Sequence, residues 1–267
     1  MSAAWPFQSI GDPTHPALVL LHGFLGRGTD WLPVAEQLAD DFHCLLPDLP
    51  GHGANTHLNP AIPLTFELLS SGLAQTLDSA GFERPILVGY SLGGRQALHY
   101  ACRYPDRLSA LVLESASPGL QTDGDRETRR LLDDTRAARL LETGLPTFLE
   151  EWYRADLWGS LQARPPLLEE AVRTRTENDP GWAAKTLSEL SPGRMEPLWD
   201  RLPDLKIPTL LLAGSLDPHY PAIAAETASL IPGSTYIRVD GAGHNIHLEQ
   251  PGRFVENVRN FLYRIKI

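Results

Sequence analysis

Cysteine is scarce, with two in 267 residues, Cys44 and Cys102. Each lies in an apolar segment, and neither has the spacing of a metal ligand. Two buried free thiols are expected, with no disulfide framework and no metal site. Positive charge is also short: 23 Lys and Arg against 33 Asp and Glu leave a formal net charge of −10. Such a chain has no basic patch to offer nucleic acid or an anionic membrane surface. No apolar run approaches the ~18 residues of a membrane span. The stretch Met1-Ser2-Ala3-Ala4-Trp5-Pro6 has neither the basic start nor the apolar core of a secretory signal. Internal repeats and low-complexity tracts are missing too. The expected setting is the cytoplasm. The expected partner is a small molecule rather than nucleic acid or membrane, no cofactor is expected, and the chain is expected to be a monomer or small homo-oligomer.

What is present is the composition of an ordinary globule, 42% hydrophobic and 21% charged, long enough to bury a sizeable core. Continuous apolar runs recur at Ala17–Leu21, His43–Pro47, Pro85–Tyr90, Leu108–Glu114 and Ile207–Gly214, and a further strand is read over Ser234–Val239. Runs without alternation are those of strands covered on both faces of a parallel sheet. Helical patterning fills the intervals: Asp30–Ala39, Leu64–Ser79, Gln96–Arg103, Pro221–Leu230 and Pro251–Tyr263. Between Gln121 and Pro203 the rhythm breaks into charged helical patterning with no strand-like run. This predicts an α/β fold with a mostly parallel sheet, in which residues 1–120 and 204–267 form the core and 121–203 an all-helical lid. The lid segment holds 11 of the 20 arginines, yet its acids outnumber them, so an anion site there needs individually aimed guanidiniums.

One stretch organises the rest. The strand Pro85–Tyr90 runs into Gly89-Tyr90-Ser91-Leu92-Gly93-Gly94-Arg95, and a helix follows at once. A serine between glycines on a sharp strand-to-helix turn is a nucleophile elbow, because a Cβ at either glycine meets the neighbouring strand or helix. A serine hydroxyl needs a histidine to take its proton, and the histidine needs a carboxylate to fix its tautomer. The chain supplies them in the order Ser91, Asp217, His244, each just after a strand, which is the α/β-hydrolase order. His247 is the rival histidine, and placement between Gly243 and Asn245 favours His244. The backbone N–H groups of Phe24, in the turn after the first apolar strand, and of Leu92 are expected to form an oxyanion hole. His22 is read as a packing histidine that braces this loop, and Asp48 as a cap of local N–H groups rather than the catalytic acid.

Five segments together resemble one family: Leu21-His22-Gly23-Phe24-Leu25-Gly26, Asp48-Leu49-Pro50-Gly51-His52-Gly53, Gly89-Tyr90-Ser91-Leu92-Gly93-Gly94-Arg95, Glu114-Ser115-Ala116-Ser117-Pro118-Gly119-Leu120 and Gly243-His244-Asn245-Ile246-His247. They are similar to the 2-succinyl-6-hydroxy-2,4-cyclohexadiene-1-carboxylate synthases of menaquinone and phylloquinone biosynthesis (MenH), members of the α/β-hydrolase superfamily. The resemblance implies a lyase without cofactor. Its triad acts as a base that removes a proton, so that pyruvate leaves 2-succinyl-5-enolpyruvyl-6-hydroxy-3-cyclohexene-1-carboxylate. It further implies that Arg95, Arg129 and Arg175 bind the substrate carboxylates, with Trp152 as an aromatic wall and Tyr90 as a substrate contact. Arg126 and Arg130 crowd Arg129, and Arg173 competes with Arg175, so the lid register stays open. A carboxylesterase or carbon–carbon bond hydrolase shares the triad without needing the arginines. A non-catalytic binding protein that borrows the fold has no use for all three triad residues.

Overall fold

The computed structural model describes residues 4–267; Met1–Ala3, the start of the stretch read above as lacking a secretory signal, lie outside the described residues. Seven strands form one sheet: β1 (Phe7–Ile10), β2 (Ala17–Leu21), β3 (His43–Pro47), β4 (Ile86–Tyr90), β5 (Ala110–Glu114), β6 (Thr209–Gly214) and β7 (Thr235–Val239). Their spatial order is β1-β3-β2-β4-β5-β6-β7, with β1 antiparallel and all other pairings parallel. The chain leaves β2 toward β3 on one side, then crosses back to β4 and builds outward on the other. The carboxyl ends of β2 and β4 therefore border the crevice where an open α/β sheet binds its ligand.

The apolar strand runs feed two cores by simple alternation. Val19, Leu21, Leu45, Leu87, Leu111 and Leu211 enter one face. Leu18, Leu20, Leu46, Val88, Val112 and Leu210 enter the other. The helices that cover the sheet are α1 (Leu32–Leu38), α2 (Phe66–Ser79) and α3 (Leu92–Arg103), joined after β6 by α8 (Tyr220–Leu230), α9 (Ile246–Glu249) and α10 (Pro251–Arg264). Between β5 and β6 lie only helices, among them α4 (Asp123–Trp152), α5 (Gly159–Gln162), α6 (Pro165–Arg175) and α7 (Pro180–Glu189). These carry a third core of their own, centred on Leu140, Leu149, Leu161 and Leu187, which closes on Leu25 in the turn after β2. Helix α4 is two helices joined at Gly144 (φ 78°, ψ 165°), with Pro146 just beyond the break. Proline suits a helix start and glycine a left-handed stop, so this pair dictates the break. No described helix is long and apolar enough to cross a membrane.

The observed elements differ from the sequence reading in few places. Strand β1 went unread because it has four residues and three exposed side chains, the profile of a short edge. Helix α1 begins two residues after Asp30, following a 3-10 turn over Gly28–Trp31. Helix α3 starts at Leu92 rather than Gln96, so Gly93 and Gly94 are helical despite their low propensity. Strand β6 begins after Pro208, which has no N–H for the ladder. Cys44 is buried as expected, but Cys102, in the last turn of α3, is only half-buried. Burial pushes the Cys44 thiol up to about 12 and that of Cys102 up to about 11.

Candidate active site

Ser91 sits between β4 and α3 with φ 51° and ψ −110°, a strained conformation for a non-glycine residue. Its flanking glycines have a steric reason to be there. A Cβ on Gly89 would strike the Gly93 carbonyl, and a Cβ on Gly93 would strike the carbonyls of Leu21 and His22. The tight turn brings α3 against the end of β2 and leaves the serine at the carboxyl edge of the sheet.

His244 reaches Ser91 from the loop after β7. Its Nε2 lies 3.3 Å from Ser91 Oγ, and its Nδ1–H donates to Asp217 Oδ2 at 2.7 Å. Asp217, in the loop after β6, is fixed in turn. Its Oδ1 accepts the backbone N–H groups of His219 at 2.8 Å and Tyr220 at 3.0 Å. Burial would raise the Asp217 carboxyl, but the His244 hydrogen bond and charge, with the two N–H donors, outweigh it and hold the group below the ordinary carboxylate value. An ionised Asp217 leaves His244 Nε2 as the acceptor facing the serine. The rival His247 points elsewhere. Its Nδ1 is bonded to buried Glu114 Oε2 at 2.7 Å, and its ring stacks on Trp31 with centroids 3.8 Å apart.

The turn after β2 faces the elbow. Neither the Phe24 nor the Leu92 backbone N–H donates to a loop acceptor among the described residues, and Leu92, as the first residue of α3, has no intrahelical partner for its N–H. Two buried histidines brace this turn. Leu49 N–H donates to His22 Nε2 at 3.0 Å, so His22 Nδ1–H donates to the Gly23 carbonyl at 2.8 Å. Leu25 N–H donates to His52 Nε2 at 3.1 Å, and His52 Nδ1–H donates to the Pro50 carbonyl at 3.2 Å. Burial lowers His22 to about 4 and His52 to about 3, so both rings stay neutral, as their acceptor nitrogens require. Asp48 accepts from Gly28 N–H at 2.7 Å and Ala54 N–H at 2.8 Å, the capping role expected of it.

Above Ser91 and His244 the helical segment between β5 and β6 encloses a cavity. Phe24, Tyr90, Ser91, Leu92 and His244 line it from the core; Trp152 and three arginines complete it. Arg95 is 9% exposed and donates through Nη1 to the Leu190 carbonyl at 2.8 Å. Burial lowers it to about 10, still cationic at neutral pH. Arg129 holds Asp133 through Nε at 2.8 Å, and Asp133, fully buried, also accepts from Ser191 Oγ at 2.7 Å. Arg175 pairs with Asp30 at 2.9 Å; burial opposes its charge, but Tyr153, Asp30 and Tyr90 raise it overall. The alternative arginines stay outside the cavity. Arg126 pairs with Asp123, Arg130 with Glu127, and Arg173 with Glu170 and Glu177. Of the ten site residues named from sequence, only Asp217 does not line the cavity, because it stands behind His244.

Residues 16–251 match the alpha/beta hydrolase fold family. Over 94% of this chain and 95% of the relative, 37% of positions are identical to the 2-succinyl-6-hydroxy-2,4-cyclohexadiene-1-carboxylate synthase of Pectobacterium atrosepticum. The chain belongs to the 2-succinyl-6-hydroxy-2,4-cyclohexadiene-1-carboxylate synthase family. A solved structure of MenH from S. aureus superposes with a TM-score of 0.92 at 34% identity, covering 98% of both chains. The chain is also 32% identical, over 97% of its length, to the chloroplastic protein PHYLLO of Arabidopsis thaliana, of which it spans only 16%.

Within this synthase fold, sequence reasoning missed several residues at the site. Tyr220 opens α8 with its ring 4.7 Å from that of His244, and Trp158 packs edge-on to the same imidazole at 5.3 Å. Asp133 holds Arg129 directly, and the Ser191 hydroxyl, from the segment after α7, donates to that same Asp133 carboxylate. Only Asp133 left a trace in the sequence, as the carboxylate four residues after Arg129 on one helix.

Proposed function

We propose that this chain eliminates pyruvate from 2-succinyl-5-enolpyruvyl-6-hydroxy-3-cyclohexene-1-carboxylate, giving 2-succinyl-6-hydroxy-2,4-cyclohexadiene-1-carboxylate. Three arginines sharing one cavity with Ser91 and His244, the latter backed by Asp217, is the observation that carries this reading. A neutral ester needs no such cations, whereas a polycarboxylate needs guanidinium forks.

In this reading the Ser91 hydroxyl, its proton accepted by His244 Nε2, removes the ring proton beside the succinyl carbonyl. Charge then develops on that carbonyl oxygen, and the Phe24 and Leu92 N–H groups stabilise the enolate. The enolate collapses through the ring, the bond to the enolpyruvyl oxygen breaks, and the leaving group takes up a proton to become pyruvate. Asp217 keeps the imidazolium oriented and offsets its charge. Arg95, Arg129 and Arg175 hold the substrate carboxylates, and Trp152 and Tyr90 wall the ring. No cofactor enters this scheme. Residues 121–203 act as the lid over a small-molecule site, and the protein works in the cytoplasm as a monomer or small homo-oligomer.

The test is pyruvate release from this substrate, followed with a coupled lactate dehydrogenase assay, by wild type and by Ser91→Ala. Release that disappears in the variant supports the reading. Ser91-dependent cleavage of nitrophenyl esters without pyruvate release would instead favour an esterase.

A further inference from the structure

The turn that presents the Phe24 N–H is held partly by the lid. Leu25 follows Phe24 with φ 61°, a left-handed conformation that a leucine keeps only when its surroundings enforce it. Its N–H is secured from the core by His52. Its carbonyl is secured from the opposite side, by Asn178 Nδ2 at 2.9 Å, and the same Nδ2 donates to the Arg175 carbonyl at 2.9 Å. Both hydrogens of the Asn178 amide are therefore committed, one to the oxyanion turn and one to the end of α6.

Neighbouring bonds fasten the same two segments. Arg27 donates to the Thr174 carbonyl and to Glu177, each at 2.8 Å, and Arg175 pairs with Asp30. Of these lid groups, Asn178 alone bonds the backbone of the residue next to Phe24. Rotation of the Leu25 peptide would swing the preceding residue as well, and an oxyanion donor works only when aimed at the developing charge.

We propose that Asn178 is a positioning residue that aims the Phe24 N–H, so that the oxyanion hole is complete only when the end of α6 is docked on the turn. This rests on the oxyanion role assigned to Phe24 above. Docking of the lid thereby acts on the chemical step as well as on substrate enclosure.

Two readouts separate this proposal from the lyase assignment: pyruvate release, and the rate at which a fluorophosphonate labels Ser91, read by intact mass. Asn178→Ala is expected to lower kcat about 10-fold with KM within about two-fold, and to slow labelling similarly. That is less than the ~10²-fold of deleting an oxyanion donor, since the Phe24 N–H remains. Asn178→Asp keeps the shape without the donor, is expected to slow both at least as much, and decides the matter if the alanine variant does not fold. Slowed labelling in a protein that releases no pyruvate would uphold the positioning role while overturning the lyase reading. Unchanged labelling, or a raised KM at unchanged kcat, would overturn the positioning role.

Discussion

Arg95 reaches across from α3 to the carbonyl of Leu190, 2.8 Å away in the segment after α7, and forms no ion pair with any carboxylate among the described residues. A buried guanidinium that meets one neutral carbonyl and the face of the Phe66 ring, 5.4 Å away, is a costly arrangement, because neither replaces the hydration of a full charge as a carboxylate would. Its location in the cavity beside Ser91 gives it an anion to meet only when substrate is bound.

Arg95→Ala is therefore expected to lower kcat/KM for the polycarboxylate substrate by about 10²-fold, a charge-assisted hydrogen bond being worth ~1.5–3 kcal/mol. Cleavage of a small neutral nitrophenyl ester should change by less than about two-fold, since no carboxylate is there to lose. Arg95→Lys should restore little, because a point charge cannot reproduce the fork. Parallel kinetics on the two substrates check this, and equal losses on both would contradict the anion-clamp role.

The neutral histidines that brace the turn after β2 make stability depend on pH. Unfolded histidine binds a proton near pH 6.5, while His22 and His52 release theirs down to about 4 and about 3 in the fold. Between those values the unfolded chain holds more protons, so stability falls as pH drops below about 6.5, at up to ~1.4 kcal/mol per pH unit for each ring. The loss from His22 runs down to about 4 and that from His52 to about 3. Melting temperatures at pH 7 and pH 5 should differ less in His52→Gln than in wild type. Equal differences would contradict this account.

Glu249 joins the lid to the histidine loop. Its buried carboxylate accepts from Gly243 N–H and Ser160 Oγ, each at 3.0 Å, and pairs with Arg164. Glu249→Ala leaves these donors unpaired and is expected to cost about 2–3 kcal/mol, below the ~3–5 of a wholly buried pair because Arg164 is partly solvated. Arg164→Ala should cost less, since the carboxylate keeps its two other donors. Urea denaturation of both variants tests the order, and a larger loss in Arg164→Ala would contradict it.

The parts of this molecule that were legible in its sequence are those set by local chemistry. Continuous apolar runs marked most of the parallel strands, and the strand-end positions of Ser91, Asp217 and His244 marked three side chains that the fold brings into hydrogen-bonding distance. The four-residue edge strand β1 was hidden by its exposed side chains. The lid register was hidden for a different reason. Arg126, Arg129 and Arg130 each have a carboxylate within one helical turn, so helical spacing does not say which one faces the cavity. Packing of α4 against α7, with Ser191 on Asp133, distinguishes them, and that is a tertiary fact. Asn178 and Glu249 were invisible for the same reason, since Leu25 lies 153 residues from the first and Ser160 lies 89 from the second.

The most direct test of the whole account is pyruvate release by the purified protein from 2-succinyl-5-enolpyruvyl-6-hydroxy-3-cyclohexene-1-carboxylate, with Ser91→Ala and Arg95→Ala alongside. The account expects rapid release by wild type, none above background in Ser91→Ala, and a steep loss in Arg95→Ala. Absence of release by wild type, or release undiminished in Ser91→Ala, would contradict it.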